Sequence, residues 1–156
     1  SLILLISTTT CSGYKPVFNS SNLEFNVADY SITGNKKIGK QIYKKLENLT
    51  KLNKNNSKAK NIIISINTSN SKNSTSKDKA GKILGYKISL SVKFIAKDLQ
   101  TNMEIINETF SISINYSVQK QNLETVKLEK VAMESLVDKV YEKIFSQLSS
   151  NLWSKW

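Results

Sequence analysis

From Leu84 to Ala96 every even position is apolar: Leu84, Tyr86, Ile88, Leu90, Val92, Phe94 and Ala96 alternate with Lys87, Ser89, Ser91 and Lys93. A period of two sends successive side chains to opposite sides of a strand, so this stretch commits the chain to a sheet with one buried and one wet face. "KDLQTN" then turns the chain. Ile106, Phe110, Ile112, Ile114 and Tyr116 resume the alternation, which predicts a long antiparallel hairpin over residues 83–97 and 103–118. The apolar side of such a sheet needs a cover.

The remaining segments supply that cover and extend the sheet. In "LEFNVADYSI" (23–32), Leu23, Phe25 and Val27 alternate with polar residues and predict a first strand. Gly34 and Asn35 break the pattern, and Ile38, Ile42, Leu46 and Leu49 then share one face of a helix expected over about 35–52. After the polar linker 53–61, "IIISINTS" places Ile62, Ile64 and Ile66 on one side of a second strand. Residues 69–81, "SNSKNSTSKDKAG", hold no apolar residue but one alanine and are expected to form a mobile loop. Leu128, Ala132, Leu136, Val140, Ile144 and Leu148, widened by Val137, Tyr141 and Phe145, predict a second helix over about 123–150. It ends in "NLWSKW", whose tryptophans suit closing the core, a membrane surface or a partner.

The order β-α-β-β-β-α predicts an α+β fold: a two-layer sandwich of a four-stranded mixed sheet with two helices on one face. The first two strands, joined through a helix, should be parallel neighbours or be separated by another strand. At 156 residues the chain is long enough for one core, and residues 23–156 read as a single domain.

The formal charge is +11, carried by lysine alone, with no arginine and no histidine. Such a field attracts polyanions, but without guanidinium forks it is poorly equipped to read bases. The abundance of lysine, asparagine and isoleucine suits a biased codon usage, which is expected to supply part of the excess. One cysteine and no histidine argue against a metal centre and against Ser-His-Asp or Cys-His catalysis. The Ser76–Lys77 pair lies in too polar a stretch to desolvate a base, and the acids of the second helix are spread along a solvated face. No glycine-rich phosphate loop follows a strand. We therefore expect no enzyme and no cofactor.

"SLILLI" (1–6) is far shorter than the roughly 18–20 residues that span a bilayer. It suits the end of a secretory signal, with a buried N-terminal strand as the alternative. An apolar run, then small residues, then Cys11 is the order a bacterial lipoprotein signal requires, cleavage before the cysteine being followed by its acylation. Residues 1–10 are then the remnant of the signal peptide and 11–22 a lipidated tether, within which Pro16 favours extended backbone. An inert buried cysteine is the alternative.

"CSGYKPVF" (11–18) resembles the start of mature LPS-assembly lipoproteins of the LptE type, particularly those of alphaproteobacteria, with Ser12 inserted between Cys11 and Gly13. "GYKISLSVKFIAKDLQTNMEI" as a hairpin, "NYS" at the end of the last strand and a long C-terminal helix continue the likeness. The resemblance implies a protein anchored at the periplasmic face of the outer membrane through acylated Cys11. It further implies that the protein plugs the barrel LptD and helps to deliver lipopolysaccharide to the cell surface.

Two groups of lysines could meet an anion. Residues 34–60 hold nine lysines and one acid, Glu47, and suit phosphates, anionic headgroups or simply a solvated helix face. Lys72, Lys77, Lys79 and Lys82, in and beside the expected loop, join Lys87 and Lys93 of the wet face as the better candidates for contact with lipopolysaccharide or another anion. Two other functions remain open: a different periplasmic lipoprotein, accessory to a lipid transporter or to barrel assembly, and a basic nucleic-acid-binding module. The latter lacks a stacking platform, because Tyr86, Phe94, Phe110 and Tyr116 all fall on the apolar face, so no nucleic acid is expected as partner.

Overall fold

The computed structural model describes residues 25–51 and 59–153. It contains β1 (Phe25–Gly34), α1 (Lys36–Lys51), β2 (Lys60–Lys77), β3 (Ile83–Asp98), β4 (Glu104–Ser117) and α2 (Asn122–Trp153). The strands form one mixed sheet in the order β1-β2-β3-β4, with β1 parallel to β2 and the other pairs antiparallel. This is the α+β architecture expected from the sequence, with β1 and β2 as parallel neighbours.

The core lies between one sheet face and the helices. Ile62, Ile64 and Ile66 of β2, with Ile88, Leu90, Val92, Phe94 and Ala96 of β3, pack with Ile38, Ile42 and Leu46 of α1 and Leu136, Val140, Ile144 and Leu148 of α2. α1 lies chiefly against β1 and β2, and α2 against β4 and β3. The alternation in β1 survives a bulge: pairing shifts between Val27 and Asp29, so Phe25 and Val27 before it and Ile32 after it all pack on the core.

One junction turns β1 into α1. Gly34 adopts φ +74°, and a Cβ built on it would lie 1.9 Å from the carbonyl oxygen of Thr68. The amide of Asn35 donates to that same carbonyl at 3.0 Å, and the Thr68 hydroxyl donates to the Asn35 carbonyl at 2.8 Å. The Asn35 side chain accepts from the Ile38 amide at 3.3 Å, capping α1, and donates to Asn70 at 2.9 Å. Further along, a Cβ on Gly39 would meet Ile32 Cγ2 at 2.4 Å, so glycine lets the helix lie close on β1.

Three expectations need correction. The expected mobile loop at 69–81 is mostly strand: β2 continues to Lys77, paired with β3 from Ser69↔Ser91 to Lys77↔Ile83, with register shifts on either side of Ser76. Its residues lack an apolar face, but the ladder to a strongly patterned partner satisfies their backbone groups without one. Only residues 78–82 turn, with the Asp78 carboxylate accepting from the amides of Ala80 and Lys82 at 2.9 Å. Leu84, expected on the buried face, is 46% exposed, because the core on β3 begins only at Ile88. Leu128, expected in the stripe of α2, is 38% exposed. A spacing of four advances about 40° round a helix at each step, so the stripe winds off the sheet, and Thr125 and Glu129 take the facing positions at that end.

Cys11, the tether at 11–22, the linker residues 53–58 and Trp156 lie outside the described residues, as does the side chain of Trp153.

Gly34→Ala should cost more than about 3 kcal/mol in urea unfolding, since it meets both a left-handed backbone and a backbone oxygen. Gly81 has φ +84° with nothing within 4 Å of a built Cβ, so Gly81→Ala should cost only about 1 kcal/mol. Equal losses would mean that the contact at Thr68 contributes nothing.

Candidate functional site

Helices cover one side of the sheet, and the odd positions of β2 and β3 point to the other. Cross-strand register arranges the middle of that open face as a grid. Its four rows are Asn73–Lys87–Asn115, Ser71–Ser89–Ser113, Ser69–Ser91–Ser111 and Asn67–Lys93–Thr109. Same-face neighbours on a strand are about 6.8 Å apart and strands about 4.8 Å apart, so the grid measures about 20 by 10 Å. Six serine hydroxyls fill its centre, one lysine stands at each end of the middle strand with an amide beside it, and none of the twelve residues is acidic or aromatic. The Ser91 and Ser111 hydroxyls hydrogen-bond at 2.9 Å, so the surface orders itself across strands. A flat array of donors and acceptors bracketed by cations suits a polar, hydroxylated, anionic ligand.

The six candidate lysines divide into three groups. Lys87 and Lys93 lie on the grid and are exposed. Lys77, Lys79 and Lys82 gather at the tip of the β2–β3 hairpin, the last strand residue and the turn. Lys72 stands apart, because its register partner is Ile88 and its side chain rises on the helix side. There its Nζ lies 2.5 Å from Glu129 Oε2 of α2 and 4.3 Å from the Tyr86 ring centroid. The Tyr116 hydroxyl donates to the same Glu129 oxygen at 3.0 Å. Lys72 is thus a clasp between α2 and the hairpin.

Sequence reasoning placed Asn67 on a strand but missed Ser71 and Asn73, and with them most of the β2 side of the grid, because it read residues 69–81 as loop. It also missed Lys97, which shares the open face with Lys93 by parity and pairs with Glu104 at 3.8 Å. Strand parity carried forward from Ile62, Ile64 and Ile66 was the available signal. Among the described residues no group of three or more possible metal ligands occurs, and no helix is long and apolar enough to cross a membrane.

No protein-family model matches the chain, and no curated protein matches it in sequence. Solved structures do match. Rare lipoprotein B from Shewanella oneidensis has a TM-score of 0.52 at 14% identity, covering 78% of this chain and 94% of that one. A minor lipoprotein from Acinetobacter baumannii has a TM-score of 0.54 at 18% identity, covering 81% and 94%. An uncharacterized lipoprotein B from Nitrosomonas europaea has 0.55 at 18%, covering 92% and 97%. The chain has the fold of these bacterial lipoproteins. In each case the match takes in nearly the whole of the other chain, so the likeness is to an entire domain.

The clasp shifts its own titrations. The hydrogen bond from Lys72 holds the Glu129 carboxyl below its ordinary value, and the bond to Glu129 raises Lys72. Burial raises Tyr116. A depressed carboxyl stabilises the fold above its unfolded value, near pH 4.3, and that contribution is lost as pH falls through the lower folded value. The raised lysine is the other half of the same pair: its contribution is lost as pH rises through its elevated value, and on the acid side it goes with the protonation of Glu129. Both side chains are more than a third exposed, so solvent screening keeps the effect small. Glu129→Gln should lower Tm by about 1–3 °C at pH 7 and flatten the loss of stability below about pH 4.5, measured by thermal melts across pH. An unchanged acid limb would show that the clasp does not stabilise the fold.

Proposed function

We propose that this chain is an LPS-assembly lipoprotein of the LptE type, anchored by acylated Cys11 at the periplasmic face of the outer membrane. There it supports and plugs a barrel partner of the LptD kind and helps to pass lipopolysaccharide to the cell surface, without covalent chemistry of its own. The observation that carries this reading is the conjunction of a whole-domain likeness to bacterial lipoproteins with "CSGYKPVF" ahead of the domain.

The open face supports the same reading. Lipopolysaccharide presents sugar hydroxyls and phosphates together, and the grid offers serine hydroxyls between Lys87 and Lys93, with side-chain amides beside both lysines. The lysines would displace the cations that bridge neighbouring lipopolysaccharide molecules, a task for point charges rather than for guanidinium forks. A nucleic-acid function is disfavoured, since no aromatic side chain stands on the grid for a base to stack upon.

Metabolic labelling with a fatty-acid analogue should mark the wild-type chain and leave Cys11→Ser unmarked; label on the variant would sink the anchor. In a pull-down, the wild type should bring with it a large outer-membrane barrel, whereas recovery of an inner-membrane transporter instead would point to an accessory role. Replacing Lys87 and Lys93 together with Ser should weaken lipopolysaccharide binding by about tenfold, at about 1 kcal/mol or less per charge. Lys72→Gln should leave binding unchanged, and equal losses from both variants would remove the grid as the site.

A further inference from the structure

The outer surface of α1 carries a second, separate cationic feature. At 100° per residue, Lys36, Lys37, Lys40, Lys44 and Lys51 fall within an arc of about 100°. The centre of that arc lies about 180° from the centre of the Ile38, Ile42, Leu46 and Leu49 stripe that faces the core. Lys36, Lys37, Lys40 and Lys44 are exposed, and none is in an ion pair among the described residues. The other two lysines of the helix are engaged, Lys45 with Asp138 at 2.9 Å and Lys51 with Glu47 at 3.2 Å. Glu47, the helix's single acid, is therefore already neutralised.

Codon bias alone does not produce this arrangement, as α2 demonstrates. That helix is twice as long yet carries four lysines against five acids, with signs interspersed along it. α1 carries six lysines against one acid and gathers its four unpaired ones within a single arc, on the side opposite the sheet.

We propose that α1 seats the domain on an anionic bilayer, with Lys36, Lys37, Lys40 and Lys44 as its headgroup contacts. Charges along one side of a cylinder can all meet one tangent plane, and a lipid surface is such a plane. The side chains are compact, mobile point charges without the forked geometry that reads a nucleic acid, and the aromatic pair beside them, Tyr30 and Tyr43, is stacked on itself at 3.9 Å. Such a patch adds to a lipid anchor the second signal that stable membrane attachment requires. The inference goes beyond the proposed function, since it concerns the domain at the membrane before a barrel encloses it, and it does not depend on Cys11, because its test uses unacylated protein.

The full chain carrying Cys11→Ser is mixed with sedimentable vesicles of phosphatidylcholine, either alone or with about a quarter phosphatidylglycerol. Binding should favour the anionic vesicles at least tenfold and should fall steeply as NaCl rises from about 50 to about 300 mM. Lys36, Lys37, Lys40 and Lys44 changed together to Gln should lose at least about tenfold in partition. The same number of exposed lysines changed elsewhere, Lys120, Lys127, Lys139 and Lys143 to Gln, should cost less than about threefold. Circular dichroism melts verify that both variants fold, and Lys40→Gln alone, expected to cost a few-fold, replaces the fourfold variant if that one does not. Equal losses from the two fourfold variants would mean that net charge alone drives binding, and would overturn the proposal. Absence of a preference for anionic vesicles would overturn it as well, and would leave an acidic protein surface as the counterpart of α1.

Discussion

The fold turns on the close contact between Gly34 and the carbonyl of Thr68. Because glycine alone tolerates both the left-handed backbone and the missing space, β1 stops there and the chain reverses into α1. Asn35 then does two things at once, capping the helix and pinning it to Asn70 of β2. β1 is therefore aligned with β2 only as far as Thr68, and the rest of β2 has β3 as its neighbour. α1 is directed back across the sheet with its apolar stripe inward, which turns the lysines opposite that stripe to solvent.

The same geometry separates three roles that one residue type plays in this chain. Lysine 72 is a structural cation, held by a carboxylate and two tyrosines between the hairpin and α2. Lys87 and Lys93 stand on the opposite side of the sheet, at the two ends of a hydroxyl-lined surface. The lysines of α1 form a third array, on the outside of a helix. A net charge of +11 is thus not a diffuse field but a set of oriented patches, and the acids of α2 keep the remaining helical surface nearly neutral.

Much of the candidate site was legible as parity. Once Ile88, Leu90 and Val92 were assigned to the covered face, Lys87, Ser89, Ser91 and Lys93 had to lie on the open one, since successive strand residues point oppositely. Lys72 was legible only through parity carried forward from Ile62, Ile64 and Ile66, because the stretch around it carries no apolar marker of its own and reads as loop. Its orientation follows from pairing with Ile88, a contact with a residue sixteen positions further along the chain. Nor could the exposure of Leu128 be read from spacing alone, which requires knowing how far the helix stripe winds relative to a twisted sheet.

The element order, the hairpin, the two helices and the division of the sheet into a covered and an open face were all legible in the amino-acid order. These are local properties, set by side-chain period and by residues such as Gly34 and Asn35 that act on their own backbone. Tertiary structure alone decided that residues 69–77 pair as strand, that Lys72 faces Glu129, and that β2, β3 and β4 align their serines in rows. Those outcomes depend on register between distant segments, which side-chain period leaves free and which the packing of the core against both helices selects.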